Sequence, residues 1–450
     1  MTTSEHSLAT TLKEAYRACD VLPLSEKTLA QYYIPFKSRQ YAISDINGRL
    51  MISDPEESLA GRSMPLLFTG HIGCGKSSEL AHLAQIQKRE FLVVDVQAEQ
   101  EIDALDVEYT DLYLLIIKRV EYELRKHQLR FDHQLLTSFE EWFAEITNET
   151  EQTIVRSVNV DAEASLGAEA PFLAKLLVKV MAQIKGSTTE KQKIRQLLIP
   201  QVSRLITDIN ALLTDGHRKI RQAFPEKKGL LIILDGLDKC PPNVAQRLFF
   251  DYAAQLLVLH PATIIYTVPI AALYTQRGIS PAFEIQHTIP MIDVYRKVPD
   301  KIELDYDQEG LHAIASMVEK RVDSRAIFET QDQLLNIAKA SGGHVRHMMQ
   351  MVRTACIQAI GMGHFKLQAE HVAYAAKQLQ FQFERATPRT HYPELARIAM
   401  QKEITDDEIG RELLFSTAVL EYNGDSRWVY PHPVVRQSEL FKRALADLQS

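Results

Sequence analysis

Residues 70–77 read Gly70-His71-Ile72-Gly73-Cys74-Gly75-Lys76-Ser77, which satisfies the spacing G-x-x-x-x-G-K-[ST] at every fixed position. Three glycines let the backbone curl so that successive N–H groups face inward and cradle phosphate oxygens. Lys76 supplies a charge for the β- and γ-phosphates, and the Ser77 hydroxyl is a candidate Mg²⁺ ligand. Ser78 and the residues after it continue as a helix, whose N-terminal partial positive charge adds to the same field. A second acidic constellation follows the apolar run Leu230–Leu234 and reads Asp235-Gly236-Leu237-Asp238. Asp235 is the candidate partner of Ser77 in holding Mg²⁺, and Asp238, three residues on, is placed to orient or deprotonate an attacking water. The chemistry these residues predict is binding of ATP or ADP and hydrolysis of the triphosphate.

Such residues need a parallel sheet that brings loop and acid to one edge. Five runs supply it: Pro65–Phe68, Phe91–Val96, Leu230–Leu234, Ala262–Thr267 and Phe283–Ile289. They are apolar or rich in β-branched residues, as buried strands are. Thr267 ends the fourth run at the ligand-binding edge and is either a γ-phosphate sensor or part of the strand-end turn. Arg277 precedes the fifth and is either an arginine finger or a surface charge. Between the second and third runs, residues 100–226 read as a long helical insertion, with helices over Asp111–Lys126, Phe172–Ile184 and Ile199–Leu213 and at most one strand, Val158–Ala162. Before the loop, Tyr32-Tyr33-Ile34-Pro35-Phe36 is extended, because Pro35 pushes its predecessor out of helical geometry. Tyr33, Ile34 and Phe36 either face the adenine or join the core.

Bulk properties bound the alternatives. The 450 residues, 46% of them hydrophobic and 24% charged, predict a globular chain of two or three domains. A net charge of −7 argues against a broad grip on nucleic acid. Four scattered cysteines (Cys19, Cys74, Cys240, Cys356), one inside the phosphate loop, fit a reducing cytoplasm. No apolar run approaches membrane-spanning length, and the N-terminus lacks a signal-peptide pattern.

From Asp307 the pattern is all-helical, with Leu311, Ile314, Val318 and Val322 on one face and a capping box at Thr330 and Gln333. Ser341-Gly342-Gly343-His344-Val345-Arg346 then opens a long helix, and Arg346 in its first turn is placed to reach the γ-phosphate from a lid. After Pro388 come two short helices (Glu394–Met400 and Asp406–Leu414, the latter with Thr405 as N-cap), a hairpin around Asn423-Gly424, and a final helix from Pro433. Helix, helix, hairpin, helix is a winged-helix order. Residues 390–450 hold seven basic and ten acidic side chains, and the helix that would enter a DNA groove starts Asp406-Asp407-Glu408, the wrong sign for phosphate. DNA is a disfavoured partner. The predicted layout is a helical lead-in (1–60), an ATPase core (61–295), a helical lid (296–386) and a winged-helix-like domain (387–450).

With these pieces in place the chain resembles the AAA+/STAND branch of P-loop ATPases, the signal-transduction switch ATPases and their replication-initiator-like relatives. The motifs that carry the resemblance are GHIGCGKS (Gly70–Ser77), LIILDGLD (Leu231–Asp238) and SGGHVR (Ser341–Arg346). The resemblance implies an α/β fold, a parallel P-loop sheet followed by lid and winged helix. It also implies a nucleotide-controlled switch that forms homo-oligomers or acts with a separate effector protein, including in bacterial antiviral defence. Its rival is a DNA-bound initiator or loader. In switch relatives a histidine opening the last winged-helix helix contacts ADP, and His432 stands at that point here. Where many ring-forming ATPases carry a catalytic glutamate, this chain has Gly236, so either Asp238 takes that role or turnover is slow.

Overall fold

The computed structural model describes residues 7–52, 64–148, 172–186, 188–274, 283, 286–298, 301–423 and 426–450. Five strands, β1 (Met64–Gly70), β2 (Phe91–Gln97), β3 (Gly229–Asp235), β4 (Thr263–Pro269) and β5 (Gln286–Ile289), form one sheet in the order β2-β3-β4-β1-β5. All neighbours are parallel. β1 therefore emerges between β4 and β5, while its continuation crosses to the far edge as β2. That split in strand order opens a crevice at the carboxyl ends, and the phosphate loop fills it.

Strand periodicity divides the core into two. Leu67, Leu92, Val94, Leu230, Ile232, Leu234, Ile264 and Tyr266 face one layer, made of the insertion helices and the helical segment 242–256. Leu66, Phe68, Leu231, Ile233 and Ile265 face the other. That second core runs without a break through the phosphate-loop helix (Lys76–Gln87), the four longer lid helices between Gln308 and Ala386, and the C-terminal hairpin. With both faces covered, β3 and β4 are buried at every position.

The insertion helices run over Tyr109–Lys126, His133–Asn148, Phe172–Gly186, Thr188–Leu198 and Val202–Ala223. The last starts three residues later than expected and extends ten further. Arg195 reaches across the insertion to the buried Asp111, which fixes one helix against another. The possible strand Val158–Ala162, Arg277 and Gly424 lie outside the described residues.

The C-terminal segment keeps the expected order: helices Tyr392–Gln401 and Glu408–Phe415, the antiparallel hairpin Val419–Asn423/Arg427–Pro431, and a terminal helix. Two expectations are corrected. The N-cap of Glu408–Phe415 is Asp407, whose carboxylate accepts the Gly410 N–H at 2.7 Å, while Thr405 donates to Glu394 instead. The final helix is broken into Pro433–Arg436 and Glu439–Gln449, because Ser438 caps a fresh start by accepting the Phe441 N–H. Among the described residues no helix is long and apolar enough to cross a membrane.

Candidate functional site

The phosphate loop turns sharply after β1, with Gly73 and Gly75 at φ +84° and +108°, and its helix starts at Lys76. Gly73 is required twice over. Its φ disfavours any side chain, and a Cβ there would lie 2.8 Å from His344 Cε1 and 2.9 Å from Arg346 Cβ. The lid helix (Val345–Gly361) is thus seated directly on the loop, and the Arg346 N–H donates to Gly73 O at 3.1 Å.

Lys76 is buried, with its ammonium 2.6 Å from Asp238 Oδ2 and donating to Gly70 O (3.0 Å) and His71 O (2.8 Å). Burial opposes its charge, but Asp238, together with weaker help from Cys74 and Asp235, raises its pKa above the ordinary lysine value. Asp235 hydrogen-bonds the Ser77 hydroxyl and accepts the Gly236 N–H at 2.8 Å. Burial, and then the charge of Asp238, push the Asp235 carboxyl up to about 6. An oxygen-only pair, its carboxylate disfavoured by burial and by a second negative charge, fits a hard divalent cation such as Mg²⁺.

Around this centre lies a cavity of about 350 Å³. Lys76, Ser77, Asp238, Lys239, Glu99 and Arg346 line its phosphate end. Leu22, Pro23, Ile34, Met317, Val345 and Met349 line an apolar end, suited to a planar base. Lys239 also belongs to the phosphate end electrostatically: burial, then Arg346 and Lys76, lower its pKa. Three cations converging on one space is what a triphosphate requires.

The N-terminal segment shapes the apolar end. Tyr33 stacks on His82 at 4.1 Å and donates to Glu79 at 2.7 Å, so it holds the loop helix as well as facing the cavity. Phe36 is mostly core. Arg39, which the sequence reading missed, is buried; it pairs with Glu79 at 3.1 Å and donates to Cys74 O, inside the phosphate loop, at 2.7 Å.

Two predicted residues sit elsewhere. Thr267 does not line the cavity; its hydroxyl donates to Leu234 O (3.2 Å) and accepts the Leu237 N–H (3.0 Å), so it ties the Asp235–Asp238 turn to β4. These are the hydrogen bonds of the strand-end turn. His432 is fully buried behind the loop and lines no part of the cavity. Its Nδ1 accepts the Val434 N–H, which leaves the proton on Nε2, 3.0 Å from His347 Nδ1. His344 accepts the His347 N–H at Nδ1 and donates from Nε2 to Ile72 O at 2.9 Å. From the other side His71 donates to Leu414 O (3.2 Å) and accepts the Glu421 N–H (2.8 Å). Four neutral imidazoles thus join the phosphate loop, the lid and the C-terminal hairpin. Burial lowers the pKa of all four, and their mutual proximity and nearby cations push the same way.

One further cluster, His364, Glu370 and His371, has metal-like spacing. His371 Nδ1 accepts the Gln368 N–H, so its Nε2 carries the proton and donates to His364. A ligating imidazole needs the opposite tautomer, and the cluster is a helix cap.

Residues 46–265 match the KAP family P-loop domain. With the parallel sheet, the formed phosphate loop and the lid that follows, this decides the class. Residues 46–265 form a P-loop NTPase domain. No curated protein matches its sequence. Among solved structures it is similar to Cdc6p of Pyrobaculum aerophilum (12% identity, 95% and 99% of the two chains, TM-score 0.35). It is also similar to the ADP form of the Aeropyrum pernix ORC2 protein (12%, 95% and 99%, 0.40) and to Drosophila ORC bound to DNA (9%, 99% and 94%, 0.41). Likeness at this level assigns no function to this ATPase.

Proposed function

We propose that this ATPase is a cytoplasmic molecular switch of the signal-transduction kind, in which the bound nucleotide sets whether lid and C-terminal segment stay packed on the phosphate loop. Lys76 and Arg346 hold the phosphates, Ser77 and Asp235 hold Mg²⁺, and the backbone of residues 70–78 forms the cradle. The observation that carries this reading is the direct seating of two later segments on one loop. Arg346 and His344 bond Gly73 and Ile72, and His71 bonds Leu414 and Glu421. A ligand shifts an equilibrium only by contacting its two states differently. A γ-phosphate that draws Lys239 and Arg346 inward alters these contacts, whereas ADP leaves them alone. The surface so exposed would serve self-association or a separate effector, as in the defence switches that the motifs resemble.

The test is to denature freshly purified protein and chromatograph what is released. About one ADP per chain supports a closed resting state held by nucleotide. Empty protein that hydrolyses added ATP steadily would sink the locked-switch reading in favour of a cycling loader. The acidic balance of residues 390–450 opposes the DNA-binding alternative, and a filter-binding series at low salt measures it directly.

A further inference from the structure

The turn after Asp235 carries no glutamate, yet the space for one is filled. Gly236 sits at φ +92°, and a Cβ built there would lie 3.3 Å from Glu99 N, 3.4 Å from its Cγ and 3.5 Å from its Cβ. The segment carrying Glu99 arrives by register. β2 and β3 are parallel with Gln97 opposite Asp235, so the first turn after β2 meets the turn after Asp235 at the ligand-binding edge. Glu99 lines the cavity beside Lys76, Ser77 and Asp238.

The two carboxylates facing the phosphate end differ in availability. Asp238 is buried and held at 2.6 Å by Lys76. A carboxylate neutralised this closely is a poor acceptor for a water proton. The Glu99 side chain is 31% exposed, at the part of the cavity that water reaches, and its partner is Lys239. The Lys239 side chain is itself 36% exposed, so an incoming phosphate can draw it away from Glu99.

We propose that Glu99 is the general base of ATP hydrolysis and that Asp238 is a positioning residue for Lys76. The proposal rests on the ATPase reading of the site. The water oxygen bonds the γ-phosphorus while the bond from that phosphorus to the β,γ-bridging oxygen breaks, and its electron pair leaves on ADP. The water proton passes to the Glu99 carboxylate and from there to the product phosphate or solvent. Lys239, released from Glu99, is left to meet the γ-phosphate.

The experiment compares wild type, Glu99→Gln, Glu99→Asp and Asp238→Asn in the full chain, measuring ATP binding with a fluorescent analogue and turnover by phosphate release. Glu99→Gln keeps shape and a partner for Lys239, so its binding stays within about threefold while turnover falls about 10²–10⁴-fold. The acid limb of the pH–rate profile disappears with it. Glu99→Asp restores part of the rate, and Asp238→Asn shows its main defect in binding. Glu99→Gln turning over at more than a third of the wild-type rate would overturn the assignment. So would Asp238→Asn losing turnover with binding intact while Glu99→Gln does not. A wild type that binds ATP but never hydrolyses it would remove Glu99's role and leave a switch driven by binding alone.

Discussion

Acidification should undock the lid and the C-terminal hairpin from the phosphate loop before it unfolds the sheet. His71, His344, His347 and His432 each use one ring nitrogen as acceptor and the other as donor, or face another ring. Protonation turns an acceptor into a donor and breaks one bond at each site. The charges facing them are Lys76, Arg346 and Arg436, all positive, and the anions closest to the cluster are engaged: Asp238 by Lys76 and Glu421 by Tyr274. The pKa of His71 and of His347 is pushed down to about 3. These depressed values mean that the junction is stabilised fully above the free histidine pKa near 6.5. That stability is lost as pH falls from there toward 3. At pH 5.5 each histidine penalises the docked state roughly tenfold, about 1.4 kcal/mol, and four together cost at most about 6 kcal/mol. Asp235 acts the other way. Its raised value of about 6 returns about 1 kcal/mol over the same interval. Hydrogen exchange followed by mass spectrometry at pH 7.5 and 5.5, corrected for intrinsic rates, reads this out. Peptides holding the His347, Glu421 and Val434 amides should lose protection by one to several powers of ten, while Leu231–Leu234 of β3 does not. Equal loss in both places, or none, would refute the reasoning.

Arg39→Ala should destabilise the protein by about 3–5 kcal/mol in chemical denaturation, because it leaves the buried Glu79 without its counter-ion, held only by the Tyr33 hydroxyl. Gly73→Ala places a methyl group against His344 and Arg346, so nucleotide retention after gel filtration should drop at least about tenfold with little change in sheet stability. Because the Asp235 carboxyl titrates at about 6, binding of Mg²⁺–ATP at pH 6 should release a fraction of a proton. Calorimetry in buffers of different ionisation enthalpy would detect it, and the release should vanish by pH 8. Release unchanged between these pH values would mean that Asp235 does not meet the cation.

What the sequence determined by itself was whatever depends on short-range patterns. The phosphate loop was legible because its glycines, Lys76 and Ser77 act within one turn of chain. The strands were legible because buried parallel strands are near-continuous apolar runs. The Thr330 box, the hairpin and the helical insertion were legible for the same local reasons. Caps were less secure: Asp407 outcompeted Thr405 because the chain turns two residues later.

Tertiary structure decided which groups share a space. Thr267 sits at the expected strand end, but Leu234 of β3 and Leu237 of the turn after it take its hydrogen bonds. His432 lies beside His347 because the hairpin folds back onto the lid, which local sequence does not encode. Arg39 gave no signal, since a single arginine in a surface-like helix looks solvated until Glu79 and Cys74 close over it. Glu99 and Lys239 meet across the β2–β3 register, 140 residues apart in sequence. A side chain's neighbours at that separation follow from strand order and register. These depend on the burial of both sheet faces at once, a property of the whole chain.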